Sequence, residues 1–178
     1  MLVSDTGLLF FLVDIFTQDP HAPQDLKISL LQALTLIFQT IPLDEESSSQ
    51  EKGLQEKFFE SLEMTYEQEK RPTDHPLLLR WAKEPKELVR YAGYGCLQSL
   101  IIHGWGKRKV VSTAGLLDHL MDRTTESEKL GKEWKFAVIQ GLGVRLNLHH
   151  DVIARLQRFL ADGPFFAGSH TAVEGLLL

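Results

Sequence analysis

The chain has 178 residues and a formal net charge of −5, from 19 Lys+Arg against 24 Asp+Glu, a balance that argues against a dedicated nucleic-acid binder. Hydrophobic residues at 43% and charged residues at 24% describe an ordinary globular chain and exclude disorder throughout. The apolar run Gly7 to Val13, bracketed by Asp5 and Asp14, is far short of the roughly 20 residues that span a membrane. No Lys or Arg precedes Lys27 to form the basic region of a secretory signal, and the single Cys96 cannot close an intrachain disulfide. A cytoplasmic protein, or one shared with the nucleus, is expected, with no membrane and no nucleic-acid partner.

Apolar spacing is helical almost everywhere. Leu8, Leu9, Leu12, Ile15 and Phe16 mark a helix over 5–18, and after the break at Asp19-Pro20-His21-Ala22-Pro23, Leu30, Leu31, Leu34, Ile37 and Phe38 mark one over 25–40. Ile41-Pro42 and the solvated run Asp44 to Gln50 separate it from a helix over 51–69. Arg71-Pro72 and Glu84-Pro85 place prolines where helices start, so 73–83 and 85–103 follow. Gly104-Trp105-Gly106 opens 105–111, and further helices are expected over 113–123, 127–147 and 150–161. No strand is expected, and the fold class is all-α.

The chain also resembles itself. Ser4 to Phe38 aligns with Ser112 to Leu146 with 10 identities over 35 ungapped positions, among them Gly7 with Gly115, Asp14 with Asp122, Lys27 with Lys135 and Gln32 with Gln140. A third copy of the second helix aligns Arg90, Ala92, Cys96 and Leu97 with Lys27, Ser29, Ala33 and Leu34. Such spacing resembles armadillo and HEAT repeats, whose units of two or three helices bury their apolar faces only by stacking. The expected architecture is an armadillo/HEAT-like helical repeat solenoid, a superhelix of about three units over 1–161 with the first incomplete, followed by a tail over 162–178 that packs on the last unit.

Within the aligned helices, Ser29, Ala92 and Ala137 are small, as are Ala33, Cys96 and Gly141 one turn on, which suits close helix packing. A separate stripe carries Gln32, Thr35 and Gln39 in the first copy and Gln140, Gly143 and Asn147 in the third. The corresponding helix of armadillo-like solenoids lines the partner-binding surface, so this stripe is the candidate site, flanked by the recurrent cations Lys27, Arg90 and Lys135.

Reactive chemistry finds little support. Adjacent residues in His149-His150-Asp151 point about 100° apart on a helix, without the second His or paired Cys of a zinc site. Gly104-Trp105-Gly106-Lys107-Arg108-Lys109 lacks the first glycine and the Ser or Thr of a nucleotide loop, and reads as a turn with Trp105 packed and its cations solvated. Gly93-Tyr94-Gly95 and Gly141-Leu142-Gly143 lie inside helices, where close packing explains them. Cys96, aligned with Ala33 and Gly141, reads as a small core residue, and Trp81, Trp105 and Trp134 as core anchors. No enzyme, cofactor or metal is expected.

The final segment carries the most specific signal: Arg155-Leu156-Gln157-Arg158-Phe159-Leu160-Ala161-Asp162-Gly163-Pro164-Phe165-Phe166, then Thr171-Ala172-Val173-Glu174-Gly175. With Trp105 and Gly115-Leu116-Leu117-Asp118-His119-Leu120-Met121-Asp122-Arg123, it resembles the C-terminal portion of the 26S proteasome non-ATPase regulatory subunit 5 family. The resemblance implies a non-catalytic chaperone for assembly of the regulatory-particle base, holding the C-terminal domain of a proteasome base ATPase subunit and meeting other base subunits. It also implies a piece of a longer protein. Leu178 is not preceded by the penultimate tyrosine of tails that open the core particle, so no gate-opening role is expected. A generic armadillo-repeat scaffold or adaptor is the alternative.

Overall fold

The computed structural model describes residues 7, 14, 22–39, 49–143 and 150–166. Among these the chain is helical, with no strand. In order come α1 (Gln24–Gln39), α2 (Ser49–Glu69), α3 (Leu77–Ala82), α4 (Glu87–Leu100), α5 (Gly104–Ser112), α6 (Leu116–Met121), a 3-10 turn (Arg123–Thr125), α7 (Lys129–Leu142) and α8 (His150–Asp162). The helix expected over 5–18 lies outside the described residues, apart from Gly7 and Asp14, which are both helical.

Local chemistry sets these boundaries. α1 starts directly after Pro23, whose carbonyl accepts from the Leu26 and Lys27 amides while its own missing N–H costs nothing at a helix start. α3 begins after Pro76 and not after Pro72, because the intervening residues form a turn: Asp74 accepts from the Arg71 amide at 3.0 Å and the Tyr66 hydroxyl donates to the His75 carbonyl at 2.7 Å. α6 and α7 are shorter than their apolar patterns suggest, since Gly115 (φ 75°) and Gly143 (φ 65°) adopt left-handed backbone that no side-chain-bearing residue enters readily.

α4 is the central element and packs against α1, α3, α5 and α7. The three internally aligned helices therefore touch in sequence, α1 on α4 and α4 on α7. Aligned positions have like burial: Leu31, Tyr94 and Ile139 are all buried, as are Leu34, Leu97 and Leu142. α2 and α5 join α1 through an aromatic cluster, with Trp105 against Phe38 at 6.0 Å and Phe59 at 5.7 Å between ring centroids. His103 stacks on Trp105 and bonds the Phe38 carbonyl at 2.7 Å, tying the turn before α5 to the end of α1. α8 packs on α7, with Phe159 against Phe136.

The small-residue positions separate by neighbour. Cys96 is fully buried, whereas Ser29 and Ala33 are exposed in the described structure. Gly141 is where α7 meets Ile101: an added Cβ would lie 2.6 Å from the Ile101 Cδ1.

Candidate functional site

The stripe occupies the outer side of the stacked helices. Gln32 and Gln39 on α1 and Gln140 on α7 are exposed, and Thr35 and Gly143 are half-buried. Thr35 turns its hydroxyl inward, donating to the Leu31 carbonyl at 2.8 Å, so it contributes less to this face than its position suggests. Asn147 lies outside the described residues. Sequence reasoning left out the middle helix, where the same aligned positions are Gly95 and Gln98, both half-buried, and Ile102, 45% exposed. Leu36 and Ile37 also reach the α1 surface at 62% and 41% exposure. Among the described residues the stripe is thus mixed amide and aliphatic, which favours shape-matched protein contact over recognition of an ion.

The three recurrent cations do not flank this face: Lys27 and Lys135 are buried and Arg90 is half-buried, and each is engaged inside the fold. Lys27 Nζ lies 3.5 Å from Oε1 of the buried Glu84 carboxylate, and Arg80 Nε lies 3.5 Å from the same oxygen. Arg90 donates Nη1 to the Glu84 carbonyl at 2.8 Å and clamps the Glu126 carboxylate with Nε at 2.6 Å and Nη2 at 2.9 Å. Tyr94 adds its hydroxyl to the same carboxylate at 2.6 Å. Lys135 donates to the Asp122 carbonyl at 2.5 Å and to the Thr125 hydroxyl. The physical reason is desolvation: once a cationic head lies under a neighbouring loop it needs an anion or carbonyl there, and these loops supply one.

Electrostatics follow the same geometry. Burial alone would push the Glu126 carboxyl up, but the Arg90 and Tyr94 hydrogen bonds and the Arg90 charge outweigh it and hold the group below the usual carboxylate range. Burial lowers Lys135 to about 8, against the opposing pull of Glu126 and Asp122. His119, whose Nε2 bonds the Ala82 carbonyl at 3.0 Å, is lowered to about 4 by burial first and by the Lys135 charge second. Sequence reasoning missed Glu84 and Glu126. The available signal was an acid in each loop before a long helix, Glu84 alone before α4 but Glu126 among Asp122 and Glu128 before α7, together with a cation inside the helix.

The remaining candidates have structural surroundings. Burial pushes the Cys96 thiol up to about 12, where it is neither nucleophile nor ligand at neutral pH. Trp105 is buried, and two cations following it pair with α2: Lys109 with Glu63 at 2.5 Å and Arg108 with Glu56 at 3.8 Å. His149 lies outside the described residues, and among the described residues no three His, Cys, Asp or Glu side chains are grouped to hold a metal. No described helix is long and apolar enough to cross a membrane.

Comparison with known proteins supplies what geometry does not. The family model described as proteasome non-ATPase 26S subunit matches residues 5–175. The 26S proteasome non-ATPase regulatory subunit 5 of Bos taurus is 25% identical over 98% of this chain, and those of Homo sapiens and Mus musculus are each 24% identical over the same share. The chain spans about a third of the length of these relatives, 34% in each case. No solved structure matches it.

Proposed function

Because the chain belongs to the proteasome non-ATPase 26S subunit family, we propose that it serves, as part of an assembly chaperone for the proteasome regulatory-particle base, to hold the C-terminal domain of an ATPase subunit without chemistry of its own. The observation that supports the reading is the ordered contact of α1, α4 and α7, whose aligned apolar residues Leu31, Tyr94 and Ile139, and Leu34, Leu97 and Leu142, are buried alike while Gln32, Gln39, Ile102 and Gln140 are exposed. That arrangement supports an armadillo/HEAT-like superhelix, in which stacked equivalent helices offer an extended face to one partner. Gln32, Gln39, Gln98, Ile102 and Gln140 are the contact residues on this reading. Binding there masks part of the ATPase module until its correct neighbours arrive, a task that needs complementarity and no reactive group. The place of action is the cytoplasm, and the nucleus where proteasomes assemble.

The test is titration calorimetry of the purified chain against individually purified C-terminal domains of the base ATPase subunits. One domain binds, and Gln32→Ala with Gln39→Ala and Gln140→Ala weakens it at least tenfold. Melting stays unchanged, because such surface changes move stability by about 0.5 kcal/mol or less each. If the folded chain binds none of these domains but retains another protein, the generic scaffold reading replaces this one.

A further inference from the structure

A second surface lies around α8, lined by residues that are not part of the stripe. The 3-10 turn, α8 and the segment after it enclose an open cleft of about 690 Å³. Arg123 builds its floor: the guanidinium lies over the Phe159 ring at 4.0 Å and donates to the Phe159 carbonyl at 2.9 Å and the Gly163 carbonyl at 2.8 Å. These bonds satisfy its donors with neutral carbonyls, so its charge is not cancelled. Lys132 and Arg158 line the same cleft, and among the described residues neither has a carboxylate within salt-bridge distance. Phe165 and Phe166 form its rim at 51% and 44% exposure, an unusual position for two consecutive aromatic rings. Of the acids that line the cleft, Glu126 is held by Arg90, while Asp122, which accepts only from the neutral Thr124 amide and hydroxyl, and Asp162 keep their charge; Arg155, also in the lining, is paired with Asp118. Among the described residues, three cations whose charge is not cancelled (Arg123, Lys132 and Arg158) therefore meet two such carboxylates (Asp122 and Asp162) beside exposed rings, a local positive excess in a chain whose net charge is −5.

We infer that this cleft is a docking site for a short acidic segment of a partner protein that also carries one aromatic or aliphatic anchor. Its carboxylates would meet Lys132, Arg158 and Arg123, and its anchor would lie against Phe159, Phe165 and Phe166. The excess of cations favours an acidic ligand, and the aromatic rim supplies the apolar half of the contact. The inference does not depend on the proteasomal reading, since it uses a different face and a different class of contact.

The experiment is fluorescence anisotropy on the full chain with a labelled peptide in which Asp and Glu flank a single Phe. The peptide binds in low salt and loses most of its affinity at 1 M, where the screening length falls to about 3 Å. A control with Ser in place of the acids binds at least tenfold more weakly. So does the Phe→Ala control. Lys132→Glu with Arg158→Glu abolishes binding with the circular dichroism spectrum unchanged, and Phe166→Ala, a surface change, weakens it severalfold. The inference is overturned if the acidic peptide binds no better than its Ser control, or if the double variant binds equally well. It is also overturned if a free peptide of residues 167–178 displaces the probe at lower concentration than the unlabelled acidic peptide, since the cleft is then a seat for the chain's own tail.

Discussion

Glu126→Gln is the sharpest probe of how the stacked helices are held. The carboxylate is buried and accepts three hydrogen bonds: two from Arg90, at 2.6 and 2.9 Å, and one from Tyr94, at 2.6 Å. Glutamine has the same shape but one acceptor oxygen, so an amide N–H₂ must face a donor and Arg90 is left as an uncompensated cation. Breaking a buried pair from one side typically costs about 3–5 kcal/mol. Arg90 retains 17% side-chain exposure and its bond to the Glu84 carbonyl at 2.8 Å, so the lower figure applies. For a chain of this size, about 3 kcal/mol corresponds to a fall in Tm of roughly 6–12 °C, read by thermal circular dichroism. The control is Arg155→Ala, which breaks the Arg155–Asp118 pair; that pair measures 2.7 Å but its side chains are 56% and 70% exposed, and such pairs contribute little. The pH dependence has a defined sign. A carboxyl lowered in the folded state contributes stability that is fully present above its ordinary value of 4.5 and is lost as pH falls through the folded value. The gap between wild type and Glu126→Gln must therefore close in acid. In an Arg90→Met background the same substitution must cost at least about 1 kcal/mol less, because no cation is stranded. If Glu126→Gln lowers Tm no more than Arg155→Ala, or if the gap is independent of pH, the buried pair is not what joins α4 to the loop before α7.

His119 gives a second titration. With its pKa lowered to about 4 against an ordinary 6.5, the unfolded chain takes up this proton first, so its contribution to stability is whole above 6.5 and is lost as pH falls toward 4. A ring titration by NMR with a midpoint near 6.5 would contradict the burial assigned to it. Two glycines on neighbouring helices separate packing from propensity. A Cβ on Gly106 would lie 2.0 Å from the Leu100 carbonyl oxygen, so Gly106→Ala must push α5 off α4 and costs about 1–3 kcal/mol or more in urea unfolding. A Cβ on Gly95 meets only Trp134 ring atoms at 3.9 Å, so Gly95→Ala gains helix propensity and stabilises by about 0.5–1 kcal/mol. Equal effects of the two substitutions would refute the packing of α4 described above.

The helical content and the equivalence of three long helices were legible because both rest on apolar periodicity, which burial enforces directly. Leu34, Leu97 and Leu142 share a register in the sequence and are all buried in the structure. Helix ends were less legible. A proline such as Pro72 permits a helix start without requiring it, and the Tyr66 to His75 bond that moves the start beyond Pro76 is a tertiary contact invisible to local pattern. The exposure of Gln32, Gln39 and Gln140 was legible, since they lie where amphipathic spacing places them. Lys27, Arg90 and Lys135 were misjudged because charge suggests solvent until a counter-charge is known, and Glu84 and Glu126 come from loops with no periodicity to betray them.

The burial of those cations bears on how the outer face of the stacked helices keeps its register. Lys27 on α1 reaches Glu84 in the loop before α4, and Arg90 on α4 reaches Glu126 in the loop before α7, so each long helix is pinned to the loop that delivers the next. Apolar contact alone tolerates sliding of one helix over another, because leucine faces have many nearly equivalent packings. A bidentate guanidinium–carboxylate clamp has one geometry, and departing from it strands a buried charge. The cations therefore fix the register between helices whose exposed residues, Gln32 and Gln39 on α1, Ile102 just after α4 and Gln140 on α7, line up as a row only when that register is kept. On this argument Glu126→Gln should weaken binding at the stripe even below its melting transition, although Glu126 lies outside the stripe. Measured at a temperature where both proteins are fully folded, unchanged affinity would show that the row is set by apolar packing and that the clamp contributes stability alone.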